Sequence, residues 1–340
     1  MKQTYSFDDV LLIPQYSEIE SRGQIDISNS LNDKISLALP VISSPMDTVT
    51  EDQMAVAIHR SGGLGVIHRY MTIEAQSKSV FDAYRAGTHN VAAAIGMAGD
   101  FLERAVDLVD AGANILCVDV AHGHHTMMKN CLDVLKNKFG SQVHIMAGNV
   151  ATLEAFEDLA SWGADSIRVG IGGGSICSTR IVSGHGVPTL QSIIDCAQST
   201  SNAKIIADGG IKTSGDMVKA LAAGADFVMV GSILAGTNET PGQIFTRGNG
   251  KKYKVYRGMA SSAAQNTWRG KTSTPEGVST TVPFKGSVVN VFKDMAGGLR
   301  SGLSYSGCRS INELQAKARF VLQSFAGQNE SNTHILWRNK

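Results

Sequence analysis

DAGANILCVD (residues 110–119), SWGADSIRVG (161–170) and AAGADFVMVG (222–231) repeat one pattern at three places in the chain. In each stretch an amphipathic helical pattern ends at a small residue and a glycine, and a short apolar run begins at once. Glycine fits the left-handed conformation that caps a helix, so the chain can turn directly into a strand. These stretches therefore predict a helix-to-strand unit that recurs along the chain.

Apolar runs suited to buried strands occur eight times. They are rich in Val and Ile and lack period-2 alternation, as expected of parallel strands covered on both faces. The predicted strands are 40–44, 64–68, 90–96, 115–119, 143–148, 166–170, 204–210 and 227–231. Helical patterns such as 50–62, 153–163 and 214–224 separate them. Repeated βα units of this kind predict a (β/α)8 TIM barrel, an α/β fold, and a doubly wound open sheet is the alternative.

The chain shows no composition shift that would mark an inserted domain, so we expect residues 1–340 to form a single barrel domain. The segment at about 240–285 is an excursion after the last predicted strand. TRGNGKKYKVYRGM (246–259) predicts a hairpin, and the polar SSAAQNTWRGKTSTPEG (261–277) predicts a mobile loop. Together they would form a flexible flap over an active site.

The composition excludes several classes of function. The chain is 43% hydrophobic and 18% charged with a formal net charge of +1, which supports neither a nucleic-acid partner nor a membrane-surface role. The first 18 residues are too acidic for a signal peptide, and no window approaches the roughly 18 apolar residues of a membrane span. The five scattered cysteines form no CxxC motif, which favours the reducing cytoplasm over a disulfide framework or a zinc site.

GIGGGSICSTR (170–180) carries one thiol, Cys177, on a glycine-rich loop after a predicted strand. Barrel enzymes place their chemistry on the loops that follow the strands. An exposed thiol near backbone N–H groups favours a nucleophile, and an incidental small residue is the alternative. Cys117, Cys131 and Cys196 lie within strand or helix patterns and are predicted to belong to the core.

ADGG (207–210) and VGS (230–232) end the last two predicted strands. Glycine amides at this place can cradle a phosphate, with Ser175 and Tyr256 as further donors, and the alternative is that these glycines only make tight turns. Asp208 suits a ribose diol as an acceptor, and the alternative for it is a helix N-cap.

Asp119 and the following AHGHH suggest another site element, or a helix entry capped by polar residues. No third ligand accompanies His124 and His125 at a telling spacing, so we expect no catalytic metal there. Glu276 is the carboxylate of the predicted loop, and it is either a general acid/base or a solvated charge.

Motifs of this kind run nearly from end to end of the chain: SFDDVLLIP (6–14), SSPMDTVTE (43–51), GIGGGSICSTR (170–180), IIADGG (205–210), VMVGS (228–232), YRGM (256–259), PEGV (275–278) and GGLRSGLSYSG (297–307). In this order and spacing they resemble the family that contains IMP dehydrogenase and GMP reductase. One departure is Gly173, where the family usually has Pro, and it predicts a looser cysteine loop.

The resemblance implies that Cys177 attacks C2 of a purine nucleotide, with Thr179 and Glu276 handling the protons of water or ammonia. The implied ribose-phosphate site comprises Ser175, Asp208, Gly210, Gly231, Ser232 and Tyr256. The positions implied along the base are Ser44, Met46, Gly258 and Met259, and those on the nicotinamide side are Asp119, Asn149, Gly170 and Gly172. Backbone carbonyls of Gly172, Gly174 and Cys177 match a loop that holds a monovalent cation such as K⁺. The resemblance also implies a homotetramer.

Two branches of the family differ in the steps after the attack of the thiol. In the dehydrogenase, hydride leaves to NAD⁺ and water hydrolyses the thioimidate to XMP. In the reductase, ammonia leaves GMP and NADPH then delivers hydride to yield IMP. The chain has no room after VIHRYMTIEAQ for the regulatory CBS modules of most dehydrogenases, and it lacks their water-activating Arg-Tyr pair near Trp268.

Those two features favour GMP reductase, whereas MDTVTE and the tail ARFVLQSFAGQNES resemble dehydrogenases more. A nucleotide-binding homologue without catalysis is a third hypothesis. The intact Cys177, Thr179 and Glu276 argue against it, because a binding protein needs none of them.

Overall fold

Eight short parallel strands close into a barrel in the computed structural model, which describes residues 2–248, 250–331 and 333. In chain order the strands are Val41–Ser43, Leu64–Ile67, Ala92–Ile95, Ile115–Asp119, His144–Val150, Ser166–Val169, Lys204–Asp208 and Phe227–Val230. The last strand pairs with the first, Val228 opposite Val41. This pairing confirms the predicted TIM barrel, and the doubly wound alternative is wrong because an open sheet would leave both strands as edges.

Helices cover the outside of the barrel, as the amphipathic patterns predict. They are Asp52–Arg60, Ile73–Arg85, Phe101–Asp110, Thr126–Phe139, Leu153–Ser161, Thr189–Cys196, Ser214–Ala222 and Val288–Tyr305. Shorter helices are Thr179–Ser183, Ser262–Arg269, Ile311–Lys317 and Phe325–Glu330. Only residues 68–72 join the second barrel strand to its helix, so the described chain leaves no space there for an additional module.

The glycine of each repeated stretch adopts a positive φ, as its predicted capping role requires. Gly112, Gly163 and Gly224 have φ of 114°, 102° and 114°. At each of them an added Cβ would also lie within 3 Å of a neighbouring side-chain atom. Glycine therefore both ends the helix and lets the turn pack closely against the carboxyl-terminal part of the preceding outer helix.

The polar residue two positions after each of these glycines fixes the register of the barrel. Its side chain accepts a hydrogen bond from a backbone N–H at the start of the preceding strand. The acceptors and donors are Asn114 and Val91, Asp165 and Ile145, and Asp226 and Ile205, at 3.0, 2.7 and 2.8 Å. The repeat thus sets both the turn and the pairing of neighbouring strands.

The barrel interior is filled by large side chains such as Met146, Phe227 and Met229. A hairpin of Asn29–Asn32 and Ile35–Leu37 packs against this interior cluster. Cys117, Cys131 and Cys196 are buried, which confirms them as core residues. Burial raises the pKa of each of these thiols to about 12, so all three stay protonated at neutral pH. Within the described residues no helix is long and apolar enough to cross a membrane.

The excursion after the last barrel strand is more ordered than its sequence suggests. The predicted hairpin forms between Phe245–Thr246 and Lys252–Arg257, and Ser279–Pro283 adds a third strand; Asn249 lies outside the described residues. The sequence predicts a mobile loop over 261–277, and a loop is wrong for Ser262–Arg269, which is a helix. The Ser261 side chain caps this helix by accepting from the N–H of Ala264 at 3.2 Å.

The two ends of the described chain pair with each other: Val10–Leu12 lies antiparallel to Phe320–Leu322. The tail residues that resemble dehydrogenases therefore pair with the N-terminal strand rather than with the barrel sheet.

We expect Gly170→Ala to destabilise the fold by at least about 2 kcal/mol, because a non-glycine residue is strained at positive φ and an added methyl group is overpacked. Gly170 has a φ of 143°, and a Cβ there would lie 1.9 Å from the Asp208 carbonyl oxygen. Gly297→Ala is the matched control, since that helical glycine faces open space. This variant should raise the free energy of unfolding by up to about 1 kcal/mol. Denaturant unfolding measures both variants. Equal stability of the two would contradict the assigned close approach.

Candidate active site

A cavity of about 690 Å³ opens at the carboxyl ends of the barrel strands, beneath the segment 258–277. Every residue predicted for catalysis or binding lines it: Ser44, Met46, Asp119, Asn149, Gly170, Gly172, Gly174, Ser175, Cys177, Thr179, Asp208, Gly210, Gly231, Ser232, Tyr256, Gly258, Met259 and Glu276. Its size suits small-molecule ligands. The fold thus brings together residues that lie more than two hundred positions apart in sequence.

Cys177 is exposed on the loop that follows the sixth strand, and its Sγ lies 3.2 Å from the Thr179 hydroxyl oxygen. Arg180 holds this loop in shape. Its guanidinium donates to the carbonyl oxygens of Ile171 at 3.1 Å and Val187 at 2.5 Å. The thiol therefore lines the cavity on a loop that the Arg180 hydrogen bonds hold in place.

Glu276 reaches the same place through backbone pairing. The N–H of Ser178 donates to the Glu276 carbonyl oxygen at 3.0 Å, and the N–H of Glu276 donates to Ala260 at 3.1 Å. The half-buried Glu276 thus lies on a strip between the cysteine loop and residues 258–261. The backbone pairing thus brings residue 276 next to the cysteine loop, and Glu276 lines the same cavity as Cys177.

Arg168 organises the carboxylates of the cavity, and the sequence analysis missed it. Its guanidinium donates to Asp119 Oδ1 at 2.5 Å and, through Nη2 and Nε, to Asp208 Oδ2 at 2.8 and 3.1 Å. Burial by itself lowers the pKa of Arg168, but the carboxylates of Asp208 and Asp119 raise it well above its ordinary value. A lone arginine within an apolar strand is the signal that could have revealed this side chain.

Asn149 extends the same network. Its Nδ2 donates to Asp208 Oδ2 at 2.9 Å and to the Gly170 carbonyl oxygen at 2.8 Å. Its Oδ1 is buried and accepts no hydrogen bond from the described residues. A buried acceptor without a donor is costly, so the site suits a ligand with an N–H group.

Asp208 does not cap a helix. Thr213 caps the next helix, Ser214–Ala222, by accepting from the N–H of Asp216 at 3.2 Å. The capping alternative for Asp208 is therefore wrong. Its Oδ2 is taken up by Arg168 and Asn149, and Oδ1 accepts no hydrogen bond within the described residues, which leaves that oxygen for a ligand.

The glycine turns after the last two strands expose backbone donors to the cavity. Within the described residues, the N–H groups of Gly210, Gly231 and Ser232 donate to no other group. No helix begins at either turn, since the next helix starts at Ser214 after the first turn and at Ser262 after the second. A phosphate there would be bound by amides without a helix dipole. Burial raises the pKa of Tyr256, which keeps its hydroxyl protonated as a further donor.

Side chains converge on Gly231 from three directions. A Cβ at this glycine would lie 3.2 Å from Met46 Sδ, 3.3 Å from the Tyr256 hydroxyl and 3.4 Å from Ser44 Oγ. Any side chain at 231 would thus crowd this corner of the cavity.

Gly173, the departure from the family pattern, has its own packing partner. A Cβ at this position would lie 2.5 Å from Thr189 Oγ1, whose buried hydroxyl has no hydrogen-bond partner in the described residues. The threonine therefore occupies space that a larger residue at 173 would need. The looseness expected of this loop stays a prediction.

Arg69, Tyr70 and Trp268 form a second cluster that the sequence analysis did not assemble. The rings of Tyr70 and Trp268 meet edge to face with centroids 4.4 Å apart, and the Arg69 guanidinium lies 5.0 Å above the Tyr70 ring. The Tyr70 hydroxyl donates to Asp119 Oδ2 at 3.4 Å. Burial and the Asp119 carboxylate raise the pKa of Tyr70 far above its usual value.

The histidines after the fourth strand have structural partners. His125 Nδ1 accepts from the N–H of Met127 at 3.0 Å and caps the helix Thr126–Phe139. His124 Nε2 lies 2.7 Å from the Asp158 carboxylate. No group of three or more potential metal-ligating side chains is found in the described part of the chain.

Comparisons with known proteins find similarity over nearly the whole chain. Residues 4–334 match the family model described as IMP dehydrogenase / GMP reductase domain. Similar proteins include an inosine-5′-monophosphate dehydrogenase of Nitrosopumilus maritimus, 35% identical with 98% of each chain covered. A GMP reductase of Leishmania major is 34% identical, with 97% of this chain and 96% of the relative covered.

A solved structure is also similar over nearly the whole chain. It is a cysteine-to-alanine variant of GMP reductase from Trypanosoma brucei in complex with guanosine 5′-monophosphate, at a TM-score of 0.92 and 31% identity, with 98% of both chains covered. The alignments with the Nitrosopumilus and Leishmania proteins run over 472 and 477 positions, more than the 340 residues of this chain. Those relatives therefore contain segments that have no counterpart here.

We expect Arg168→Ala to lower the free energy of unfolding by about 3–5 kcal/mol at neutral pH, because two buried carboxylates lose their counter-ion. Lys78→Ala is the control, since it breaks an exposed ion pair with Asp82 worth less than about 1 kcal/mol. Denaturant unfolding at pH 7 measures both variants. A loss for Arg168→Ala no larger than that for Lys78→Ala would contradict the electrostatic account.

Proposed function

The chain belongs to the IMP dehydrogenase/GMP reductase family of oxidoreductases, and we propose that it is a GMP reductase. The proposed reaction converts GMP, NADPH and a proton to IMP, ammonia and NADP⁺. Cys177 is the proposed nucleophile, and the other residues that line the cavity bind the nucleotide, bind the cofactor or transfer protons.

The reductase is favoured because the described residues offer no free arginine–tyrosine pair that could activate water in the cavity. An arginine–tyrosine pair, Arg69 and Tyr70, does line it. The Tyr70 hydroxyl, however, donates to Asp119, and its raised pKa keeps it protonated. Arg69 donates to the Asp119 carbonyl oxygen at 3.2 Å. A dehydrogenase must deprotonate water to hydrolyse its thioimidate, whereas a reductase has no such step.

The Cys177 thiolate attacks C2 of GMP and forms a C–S bond. The 2-amino group then leaves as ammonia, with Glu276 and Thr179 supplying and relaying the proton that makes it a leaving group. The resulting thioimidate accepts hydride at C2, the C–S bond breaks, and the sulfur departs as thiolate to leave IMP. The nearness of the Cys177 thiol and the Thr179 hydroxyl supports this division of roles.

The nucleotide is proposed to lie across the last two strands. Gly210, Gly231, Ser232 and the hydroxyls of Ser175 and Tyr256 bind its phosphate. Asp208 accepts from the ribose diol through the oxygen that Arg168 leaves open. Ser44, Met46, Gly258 and Met259 flank the base.

The nicotinamide ring is proposed to lie toward Asp119, Asn149, Gly170 and Gly172. The buried Asn149 Oδ1 fits the carboxamide N–H₂, which would satisfy an acceptor that has no partner in the described residues. The cofactor supplies the hydride when it is bound, and the side chains here orient it over the nucleotide. NAD⁺ is the alternative cofactor if the protein is a dehydrogenase.

The cysteine loop also suits a monovalent cation such as K⁺. Gly172, Gly174 and Cys177 offer neutral carbonyl oxygens, and the Gly174 oxygen accepts from the N–H of Cys177 at 3.1 Å, which leaves it one lone pair. The homotetramer and the cytoplasmic location stay predictions that follow from the resemblance and from the composition.

IMP dehydrogenase is the second candidate, because IMP dehydrogenases stand beside GMP reductases among the relatives at similar identity. A nucleotide-binding homologue without catalysis is the third. The products that each candidate forms distinguish the three, since the binding homologue would form none.

We expect NADPH oxidation when GMP is added, with IMP and ammonia formed in equal amounts. IMP with NAD⁺ should give little NADH. Absorbance at the nicotinamide band and chromatography of the nucleotides measure both reactions. Abundant XMP from IMP and NAD⁺ would replace the reductase by the dehydrogenase, and no turnover in either direction would favour the binding homologue.

Cys177→Ala should abolish turnover while GMP binding persists, because only the nucleophile is removed. Iodoacetamide should modify Cys177 in the parent protein, since the other four cysteines are buried, and GMP should protect it. Mass spectrometry counts the modified thiols, and calorimetry measures GMP binding. Turnover of the variant near the parent rate would exclude covalent catalysis.

Glu276→Gln should lower kcat by roughly 10²–10⁴-fold if Glu276 transfers protons. Glu154→Gln, which alters an exposed carboxylate on an outer helix, is the matched control and should leave kcat unchanged. A decrease in kcat of less than about tenfold would exclude Glu276 as the general acid/base. Steady-state kinetics on both variants provide the comparison.

A further inference from the structure

The flap helix Ser262–Arg269 ends in two residues, Trp268 and Arg269, that line the cavity but have no part in the proposed chemistry. The Arg269 guanidinium lies 4.7 Å from the Trp268 ring centroid, and the Arg69 guanidinium lies 5.9 Å from the same ring. Two cations therefore flank one indole where the flap meets the barrel.

Two of these three side chains present buried N–H donors that lack acceptors. Arg69 Nε and Trp268 Nε1 are both buried without a hydrogen-bond partner in the described residues. The nearest carboxylate oxygen to Arg69 Nε, on Asp119, lies 3.9 Å away, beyond hydrogen-bond distance. Buried donors without acceptors are unfavourable, so the cluster favours a ligand that supplies acceptor oxygens.

The charges around the cluster favour an anion. Within the described residues, Arg269 pairs with no carboxylate. Asp119, the acidic group nearest to Arg69, is already paired with Arg168 at 2.5 Å. Asp208 is also held by Arg168. The cavity lining as a whole has five cationic side chains and four carboxylates, a net positive charge. The cations are Arg69, Arg168, Arg180, Lys212 and Arg269, and the carboxylates are Asp8, Asp119, Asp208 and Glu276.

We propose that Arg69, Trp268 and Arg269 form a phosphate-binding site for the dinucleotide cofactor. Guanidinium groups match phosphate oxygens with paired N–H donors, and the indole N–H adds a further donor. The inference rests on the proposed function in one respect, since it takes Asp119 to lie beside a bound dinucleotide. The phosphate is either the pyrophosphate shared by NAD(H) and NADP(H) or the monoester that only NADP(H) has.

Arg269→Gln and Arg69→Gln test the site, with calorimetric Kd values for NADP⁺, NAD⁺ and GMP as the readout. Each variant should raise the Kd of NADP⁺ by about 10- to 100-fold, the loss expected for a charged hydrogen bond. The Kd of GMP should change less than threefold, which shows that the fold and nucleotide site are intact. Arg85→Gln is the matched control, because Arg85 also lies over an aromatic ring, 5.9 Å from the centroid of Phe81, but outside the cavity.

The pattern of losses identifies the phosphate. A loss confined to NADP⁺ assigns the site to the monoester, and an equal loss for NADP⁺ and NAD⁺ assigns it to the pyrophosphate. Unchanged Kd values for both cofactors in both variants would overturn the proposal. These binding constants are independent of turnover. XMP formation from IMP and NAD⁺ would therefore refute the reductase but would not test this phosphate-binding site.

Discussion

The ion pairs of Arg168 with Asp119 and Asp208 are the interaction on which the cavity depends. The three side chains come from the sixth, fourth and seventh barrel strands and meet where those strands end. The Arg168 side chain is only 8% exposed, and such a buried guanidinium is stable only with carboxylates beside it. The two carboxylates are in turn stabilised by the guanidinium. These ion pairs therefore link the fourth, sixth and seventh strands at one end of the barrel and orient the two acidic groups toward the cavity.

The two ends of the barrel have separate tasks. At the amino-terminal ends of the strands, Asn114, Asp165 and Asp226 accept from neighbouring backbone N–H groups and hold the register. At the carboxyl ends, glycine turns leave N–H groups without partners and give the loops room to approach one another. The strand register is therefore fixed at one end of the barrel, and the cavity lies at the other.

The proposed nucleophile and its proposed proton donor lie on segments that cannot adopt their positions alone. Residues 176–178 pair with 276–278, which in turn pair with 258–261. Cys177 and Glu276 are neighbours because of these backbone hydrogen bonds. The flap helix brings the Trp268 ring against the Tyr70 ring. The flap therefore contacts both the cysteine loop and the proposed cofactor side of the cavity.

The amino-acid sequence by itself determined the strands, the outer helices and the order of the βα units. Those features depend on local patterns: Val- and Ile-rich runs, amphipathic periodicity, and glycines that cap helices. It also determined the types of residue that the cavity contains, because the glycine turns, Cys177 and Asp208 follow strands, and the ends of parallel strands meet at one edge.

Only the tertiary structure decided which of these residues interact. The partners of Arg168, the Thr189 hydroxyl beside Gly173 and the contact of Arg69 with Trp268 join positions far apart in sequence, and no local pattern specifies them. The helix Ser262–Arg269 was also missed, because its polar sequence resembles a loop until Ser261 caps it and Gln265 binds Ala260 and Ser273. Barrel closure creates these contacts, since it brings the loops of all eight strands to one rim.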